Sequence, residues 1–189
     1  MRLVDSTALA QTAIGRFLRR RRRDRFLTTV LVTDIVESTR SVAELGDERW
    51  HHVLDEHDSM LRRSLTPFGG QEVRHTGDGM LATFGSPTSA VQSAHAAMEQ
   101  LRDIGVDLRA GVHTGEVQSR SSDIGGVAVA ITTRICSCAE PGEVLVSHAA
   151  KDAAAGSELH FADRGEHDLK GINDPWRLYA ASTSNGGVT

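Results

Sequence analysis

The spacing of apolar residues divides the chain into predicted strands and helices. FLTTVLVT, residues 26–33, is rich in β-branched residues and predicts a strand. From about residue 38 to residue 65, apolar residues recur at three- and four-residue steps, which predicts one amphipathic helix. EVRHTGDGMLATF then predicts a strand, a tight turn and a strand. Residues 87–103 predict a second amphipathic helix, and VDLRAGVHTGEV predicts a further strand.

This order of elements is β-α-β-β-α-β, the ferredoxin-like arrangement of the α+β class. We expect an antiparallel sheet with helices on one face and the other face left free. A third helix near residues 127–139, a strand around GEVLVS and a strand-rich end at WRLYAA should extend this core. The domain is predicted to span residues 26–182, after an N-terminal extension at 1–25 and before a disordered tail at 183–189.

Charge is distributed unevenly along the chain. The formal net charge is -4, and RFLRRRRRDR, residues 16–25, alone carries +6 from seven arginines and one aspartate. Subtracting +6 from -4 leaves -10 for the remainder, which is too acidic for a general nucleic-acid binder. The arginine block is interpreted as a solvated arm, with contact to anionic lipid or to a protein partner as the alternatives.

The sequence also indicates the cellular setting. No apolar run reaches the roughly 18 residues of a membrane-spanning helix, and the N-terminus lacks the apolar core of a secretion signal. Cys136 and Cys138 are one residue apart in a predicted helix, so their side chains should point to different faces. Neither a disulfide nor a zinc pair is expected, and a reduced, cytoplasmic setting is predicted.

Two acidic residues occupy positions where chemistry is expected. Asp34 ends the first strand, and Asp78 lies in the turn between the next two. Neighbouring strands would bring the carboxylates together, and oxygen ligands of this kind favour Mg²⁺ or Mn²⁺. The helix that follows Asp34 offers free amides to phosphate, and Ser38 and Thr39 add hydroxyls. Taken singly, Asp34 could be a helix cap and Asp78 an ordinary turn residue.

Six stretches of the chain together resemble one known family. VTDIVEST, GGQEVRHTGDGMLATF, LRAGVHTGEV, DIGGVAVAITTRI, PGEVLVS and HDLKG are similar, in this order, to the catalytic domain of class III adenylate and guanylate cyclases. The resemblance covers residues 28 to about 180, which is nearly all of the predicted domain. One such motif would carry little weight, whereas the ordered set is specific.

The resemblance implies a set of site residues. Asp34 and Asp78 would bind two divalent ions, Mg²⁺ or Mn²⁺, with the Ile35 carbonyl as an additional ligand. The nucleotide triphosphate would lie against the turn that contains Val36, Glu37, Ser38 and Thr39. Members of the family dimerise head to tail, so the base pocket and the residues that stabilise the transition state would come from the partner subunit.

The same resemblance assigns the residues contributed across the dimer. Asp123 and Arg74 match the aspartate and lysine that usually select adenine, although arginine is larger and forked. Arg134 matches the transition-state arginine, and Lys170 matches the lysine that contacts the outer phosphates. Ala130 stands where many members carry asparagine, so one side-chain donor is missing.

The function implied is an adenylate cyclase that converts ATP to 3′,5′-cyclic AMP and pyrophosphate by two-metal catalysis at a homodimer interface. Two alternatives stay open. One is a cyclase-like domain with little turnover that binds nucleotide and serves regulation, which Ala130 and Arg74 favour. The other is a guanylate cyclase, because Arg74 could donate to the guanine carbonyl.

Overall fold

The computed structural model describes residues 25–120 and 123–183, and within them eight strands form one sheet. The strands are β1 (Arg25–Ile35), β2 (Gln71–His75), β3 (Gly79–Phe84), β4 (Leu108–Arg120), β5 (Asp123–Gly125), β6 (Val144–Ser147), β7 (His160–His167) and β8 (Trp176–Ser182). The helices are α1 (Ser38–Leu45), α2 (Asp47–Leu65), α3 (Pro87–Arg102), α4 (Val127–Cys138) and α5 (His148–Ala153), with a short 3₁₀ turn at Thr66–Phe68.

The sheet confirms the predicted ferredoxin-like core. Its strand order is β2-β3-β1-β4-β6-β8-β7, and β5 pairs with β4. The first four strands in this order are antiparallel to their neighbours, as expected. Beyond them the sheet is mixed, because β4 and β6 run parallel. The chain passes through α4 between these two strands, and such a crossover returns it in the same direction, which the prediction of an antiparallel sheet did not include.

Both faces of the sheet carry helices, which corrects the expectation that one face stays free. One face packs on α2 and α3 through a large apolar core that includes Leu31 and Leu61. On the other face, Val30 and Val32 pack with Val129 of α4. The backbone of α4 lies so close to β4 that a Cβ on Gly111 would be 2.7 Å from the Thr132 carbonyl oxygen. Glycine therefore permits the second layer.

The single helix predicted from about residue 38 to residue 65 is two helices. Gly46 separates α1 from α2 with φ 76° and ψ 160°, a conformation that glycine adopts without the cost of a side chain. The apolar spacing nevertheless identified the packed side of α2, where Trp50, His57 and Leu61 are buried.

The turn between β2 and β3 is fastened to the end of β1. The Ile35 amide donates to the Asp78 carbonyl at 2.9 Å, and the Met80 amide donates to Thr33 Oγ1 at 3.1 Å. Gly79 pairs with Asp34 in the register of β1 and β3, and a side chain there would collide with the Thr33 carbonyl. The backbone thus sets Asp34 and Asp78 side by side.

Two predicted regions fall largely outside the described residues. Of the predicted extension at 1–25 only Arg25 is described, as the first residue of β1. Of the predicted tail at 183–189 only Thr183 is described. Among the described helices, none has the length and apolar character needed to cross a membrane.

Candidate active site

Asp34 and Asp78 line the same cavity, which has a volume of about 210 Å³. Asp34 is the second-to-last residue of β1, and Asp78 lies in the turn immediately before β3. The opposite wall is the α4 side chains Val129, Thr133, Cys136 and Ser137. The structure therefore brings the two predicted carboxylates together in one cavity, at the end of β1.

Each of the two acids is held by a donor from its own chain. Arg109 lies opposite Asp34 in the register of β1 and β4, and it donates from Nε at 2.9 Å and from Nη2 at 2.5 Å to Asp34 Oδ2. The Ser38 hydroxyl donates to Asp78 Oδ2 at 2.5 Å. Ser38 was expected to face phosphate, and here it orients a carboxylate. Charge-assisted contacts of this kind fix side-chain direction.

The ionisation states around Asp34 follow from burial and charge. Burial opposes the charged form of Arg109, but hydrogen bonds and attraction from Asp34 outweigh it and raise the pKa of the guanidinium. Burial, with the Asp34 charge as a second cause, raises the pKa of the Cys136 thiol to about 12. Cys136 is therefore a neutral thiol at physiological pH and is neither a nucleophile nor a thiolate ligand.

The donor set of the cavity fits a hard divalent cation whose coordination is completed from outside the chain. Asp34 and Asp78 offer carboxylate oxygens to the cavity, and the carbonyl of Ile35, the next residue after Asp34, is the backbone ligand that the sequence resemblance implies. Within residues 25–120 and 123–183 no three His, Cys, Asp or Glu side chains cluster closely enough to hold a metal ion by themselves. Oxygen ligands favour Mg²⁺ or Mn²⁺, which commonly take the remaining ligands from substrate phosphates and water.

The expected phosphate-binding turn precedes α1. The Val36 amide is already used, since it donates to the Asp107 carbonyl at 2.9 Å. α1 begins at Ser38 without a side-chain cap, and Thr39 is exposed in its first turn. The first amides of a helix have no acceptor within the helix, so this end of α1 suits an anion.

Glu37 has an unusual backbone conformation in that turn. Its φ is 54° and its ψ is 33°, the left-handed region that costs a residue with a side chain on the order of 1 kcal/mol. Its carboxylate faces Arg40, with 3.2 Å between Oε2 and Nη1, and Arg40 also binds Glu44 at 2.8 Å. Arg40 therefore partly neutralises the negative charge that Glu37 places at the start of α1.

Arg74 and Asp123, the two residues expected to recognise the base, contact each other within one chain. Arg74 Nη1 donates to Asp123 Oδ1 at 2.5 Å, and both side chains are 43% exposed. Asp123 Oδ1 also accepts the Ile124 amide at 2.8 Å. Arg74 in addition lines the cavity of Asp34 and Asp78. A purine at this position would meet a paired donor and acceptor.

The other expected catalytic residues lie away from the acids of their own chain. Arg134 is exposed on α4, and Lys170 is exposed in the turn between β7 and β8. Neither lines the cavity that holds Asp34 and Asp78. Ala130 is exposed one turn before Arg134 on the same helix. Because its side chain is a methyl group, it offers no hydrogen-bond donor there.

The sequence reasoning missed Arg109. The signal was available: LRAGV places one charged residue in an otherwise apolar stretch at the start of β4, and Asp34 is the one acid near the end of the neighbouring strand. Opposite charges on adjacent strands of one sheet pair when the register aligns them. Thr133 and Ser137 were missed because their role as cavity wall depends on α4 packing over the sheet.

The fold and the site together define a nucleotidyl cyclase domain. The model of the Adenylate and Guanylate cyclase catalytic domain family matches residues 26–182. The chain belongs to this family, as the sequence resemblance indicated.

The similar proteins include ones named as adenylate cyclases and one named as a guanylate cyclase. A Rhizobium meliloti (strain 1021) protein provisionally named adenylate cyclase 3 is 31% identical over 169 residues, which are 84% of this chain and 28% of that protein. The adenylyl cyclase CyaB of P. aeruginosa has the same fold, with TM-score 0.72, 24% identity and coverage of 87% of this chain and 98% of that one. So does the GTP-bound guanylate cyclase domain of RhGC from Catenaria anguillulae, with TM-score 0.75, 18% identity, and 83% and 96% coverage.

The chain spans little more than a quarter of the Rhizobium protein it matches. The similarity therefore concerns this domain and not the complete Rhizobium protein.

Proposed function

We propose that the protein is an adenylate cyclase that converts ATP to 3′,5′-cyclic AMP and pyrophosphate. The observation that carries this proposal is the convergence of Asp34 and Asp78 in one cavity beside the uncapped start of α1. In the reaction the ribose 3′ oxygen bonds to the α-phosphorus, the bond from that phosphorus to the pyrophosphate oxygen breaks, and the 3′-hydroxyl proton leaves to solvent. Pyrophosphate departs with the electron pair of the broken bond.

Asp34, Asp78 and the Ile35 carbonyl would hold two Mg²⁺ or Mn²⁺ ions. When bound, such ions increase the acidity of the 3′-hydroxyl and stabilise negative charge on the phosphates. Ser38 keeps the Asp78 carboxylate oriented, and the free amides at the start of α1 bind phosphate oxygens. The α4 side chains form one wall of the cavity that would hold these ions.

The complete site would require a second copy of the chain in head-to-tail arrangement. Arg134 and Lys170 are exposed and lie outside the cavity of their own chain, which supports a role in the site of the partner subunit. There Arg134 would stabilise charge that develops at the α-phosphate, and Lys170 would bind the outer phosphates. Both cysteines are free thiols in this structure, which supports a reducing, cytoplasmic setting where ATP is abundant.

A guanylate cyclase is the second candidate, and the Arg74–Asp123 pair favours it. Guanine presents an acceptor at its carbonyl and donors at its ring and exocyclic nitrogens, and a guanidinium beside a carboxylate complements that edge. Adenine would use Asp123 for its amino group. Arg74→Lys removes the fork and should shift the ratio of ATP to GTP turnover towards ATP.

A low-turnover regulatory domain is the third candidate, and the exposed Ala130 is the observation that favours it. Without the usual amide donor, the rate could be lower by about 10²–10³. Nucleotide would then bind while little product forms.

One assay separates these candidates. The purified chain is incubated with Mn²⁺ and either ATP or GTP, and the products are separated by chromatography. Cyclic AMP that disappears in Asp78→Asn supports the proposal, whereas cyclic GMP as the only product supports the second candidate. Nucleotide binding by calorimetry without any cyclic product would establish the regulatory role and overturn the enzymatic one.

A further inference from the structure

Asp34 already forms an ion pair with an arginine of its own chain, Arg109. Two guanidinium nitrogens of Arg109 donate to the same Asp34 oxygen, at 2.9 Å and 2.5 Å. Both side chains are 29% exposed, so the contact is partly shielded from water. Asp34 is the acid that forms an ion pair with Arg109 among the described residues.

The backbone holds this contact in place. Asp34 and Arg109 are partners in the register of β1 and β4, the central pair of strands in the sheet. The Cys136 thiol of α4 donates to the Arg109 carbonyl at 3.7 Å, and its high pKa keeps it neutral, so it offers the guanidinium no second anion. The position of Arg109 is therefore fixed by the sheet, and Asp34 is the acid with which it forms an ion pair, while the Asp78 charge attracts it from further away.

We propose that Arg109 is a positioning residue that acts through Asp34: it opposes metal binding to the nucleotide-free chain, so that the metal enters together with the nucleotide. This extends the proposed function, since it requires the Asp34–Asp78 metal site. The cavity offers two carboxylates, and the Arg109 charge offsets one of them before a cation arrives. A polyphosphate brings further negative charge, which compensates the guanidinium and releases Asp34 to bind the metal.

The same contact sets the direction in which Asp34 points. Because both bonds go to Oδ2, the guanidinium fixes the carboxylate plane before the metal binds. Loss of Arg109 should therefore have two separable effects. Without nucleotide, metal should bind more tightly than it does to the wild type. With nucleotide bound, the Asp34 carboxylate should be less well oriented than in the wild type.

The test measures Mn²⁺ binding directly, by the loss of the free-ion signal in electron paramagnetic resonance. Wild type, Arg109→Met and Arg109→Lys are titrated without nucleotide and then with adenosine 5′-(α,β-methylene)triphosphate, which cannot release pyrophosphate. We expect Arg109→Met to bind Mn²⁺ about tenfold more tightly than wild type without nucleotide, since hydrogen bonds to charged groups have energies of that size. With the analogue present, the difference should fall below about threefold.

Arg177→Met is the matched control. Arg177 also donates two nitrogens to one carboxylate oxygen, Asp163 Oδ2, but on the exposed β7–β8 pair. It removes the same charge and should leave Mn²⁺ affinity within about twofold of wild type. An equal gain in this variant would mean that net charge alone explains the effect, and the proposal would fail.

Several outcomes decide the question. Unchanged or weaker Mn²⁺ binding by folded Arg109→Met without nucleotide overturns the role of Arg109. If Arg109→Met does not fold, Arg109→Gln, which also removes the charge, is titrated in its place and decides in the same way. Arg109→Lys keeps the charge and should bind Mn²⁺ within about threefold of wild type, and a gain equal to that of Arg109→Met would show that the charge is not the cause. Asp34→Asn tests the metal site itself: equal Mn²⁺ binding by wild type and Asp34→Asn in the presence of the analogue would refute the proposed site, whatever Arg109 does.

Discussion

The acidic and basic halves of the candidate site are built in different ways. Asp34 and Asp78 lie on and beside the central strands, and each is held by a hydrogen bond from its own chain. Arg134 and Lys170 are exposed on a helix and in a turn, outside the cavity that the acids line. The acidic half of the site therefore lies within a single chain, whereas in the proposed head-to-tail dimer the basic half would face a second molecule.

This difference suggests a division of tasks. In the proposed dimer the embedded half would bind metal and phosphate before any partner arrives, because sheet register rather than an interface sets its geometry. The exposed half would contribute only when two chains meet. A site divided in this way would make activity depend on association, while ligand binding by the single chain would persist.

The largest effect is expected from removal of a charge in the embedded half. Asp34→Asn keeps the shape of the side chain but removes the negative charge, and the rate of cyclic nucleotide formation should fall by about 10³ or more. Initial rates with Mn²⁺ and ATP measure this, and thermal unfolding checks the fold. A loss below about tenfold would show that Asp34 is not a metal ligand.

A smaller loss is expected in the exposed half. Arg134→Ala should lower the rate by about 10²–10³, with the binding of Mn²⁺ and nucleotide to the single chain unchanged. Arg102→Ala, another helical arginine, is the control and should keep full activity.

Mixing the two inactive variants tests the division directly. Asp34→Asn and Arg134→Ala chains combined should recover part of the wild-type rate, because one of the two sites in a mixed dimer is intact. No recovery despite mixed-dimer formation would place both halves within one chain.

The sheet that carries the embedded half should weaken in acid, because His113 on β4 is buried and neutral. Burial lowers the pKa of His113 to about 4 from an ordinary 6.5, and its Nδ1 lies 2.8 Å from Ser147 Oγ. The unfolded chain binds this proton first, so stability is fully present above pH 6.5 and falls as the pH drops towards 4, by about 3 kcal/mol in total.

Denaturant unfolding between pH 4 and pH 7 measures this dependence. His113→Gln keeps a polar group near Ser147 and cannot be protonated, so its stability should change less over that range. His57 is also buried, and burial lowers its pKa as well, so both proteins retain that contribution. Identical pH profiles would show that His113 has no part in the acid sensitivity.

The smallest effect is expected from adding a donor to the exposed half. Ala130→Asn restores a side-chain amide one turn before Arg134, and the rate should rise by about tenfold, less than a native donor contributes because the surrounding residues have not adapted to it. Initial rates under saturating ATP measure it. An unchanged rate would indicate that Ala130 does not face the nucleotide of the partner subunit.

The strand pattern and the order of motifs were enough to predict the core of the fold. The position of Asp34 at a strand end and of Asp78 in a tight turn follow from local sequence alone. The break at Gly46 was missed because apolar spacing continues on both sides of it. The packing of α4 was missed because its apolar residues show that it is buried, but not on which face.

The contacts within the site needed coordinates. Ser38 was expected to bind phosphate, and its donation to Asp78 depends on how the turn before α1 approaches the turn before β3. The Arg109–Asp34 and Arg74–Asp123 pairs join residues 75 and 49 positions apart in the chain. Local patterns identify charged residues, but the register of β1 and β4 sets the first pair, and the approach of β5 to β2, which are not paired strands, sets the second.

The absence of a side chain at Gly111 has a consequence for protein engineering. Even one methyl group at Gly111 would collide with the backbone of α4 and push this helix outward from the sheet. Arg134 lies on α4 and would move with it, although Gly111 itself is not expected to contact substrate. Random substitution should therefore find that position 111 does not tolerate other residues, although Gly111 does not line the cavity that holds Asp34 and Asp78.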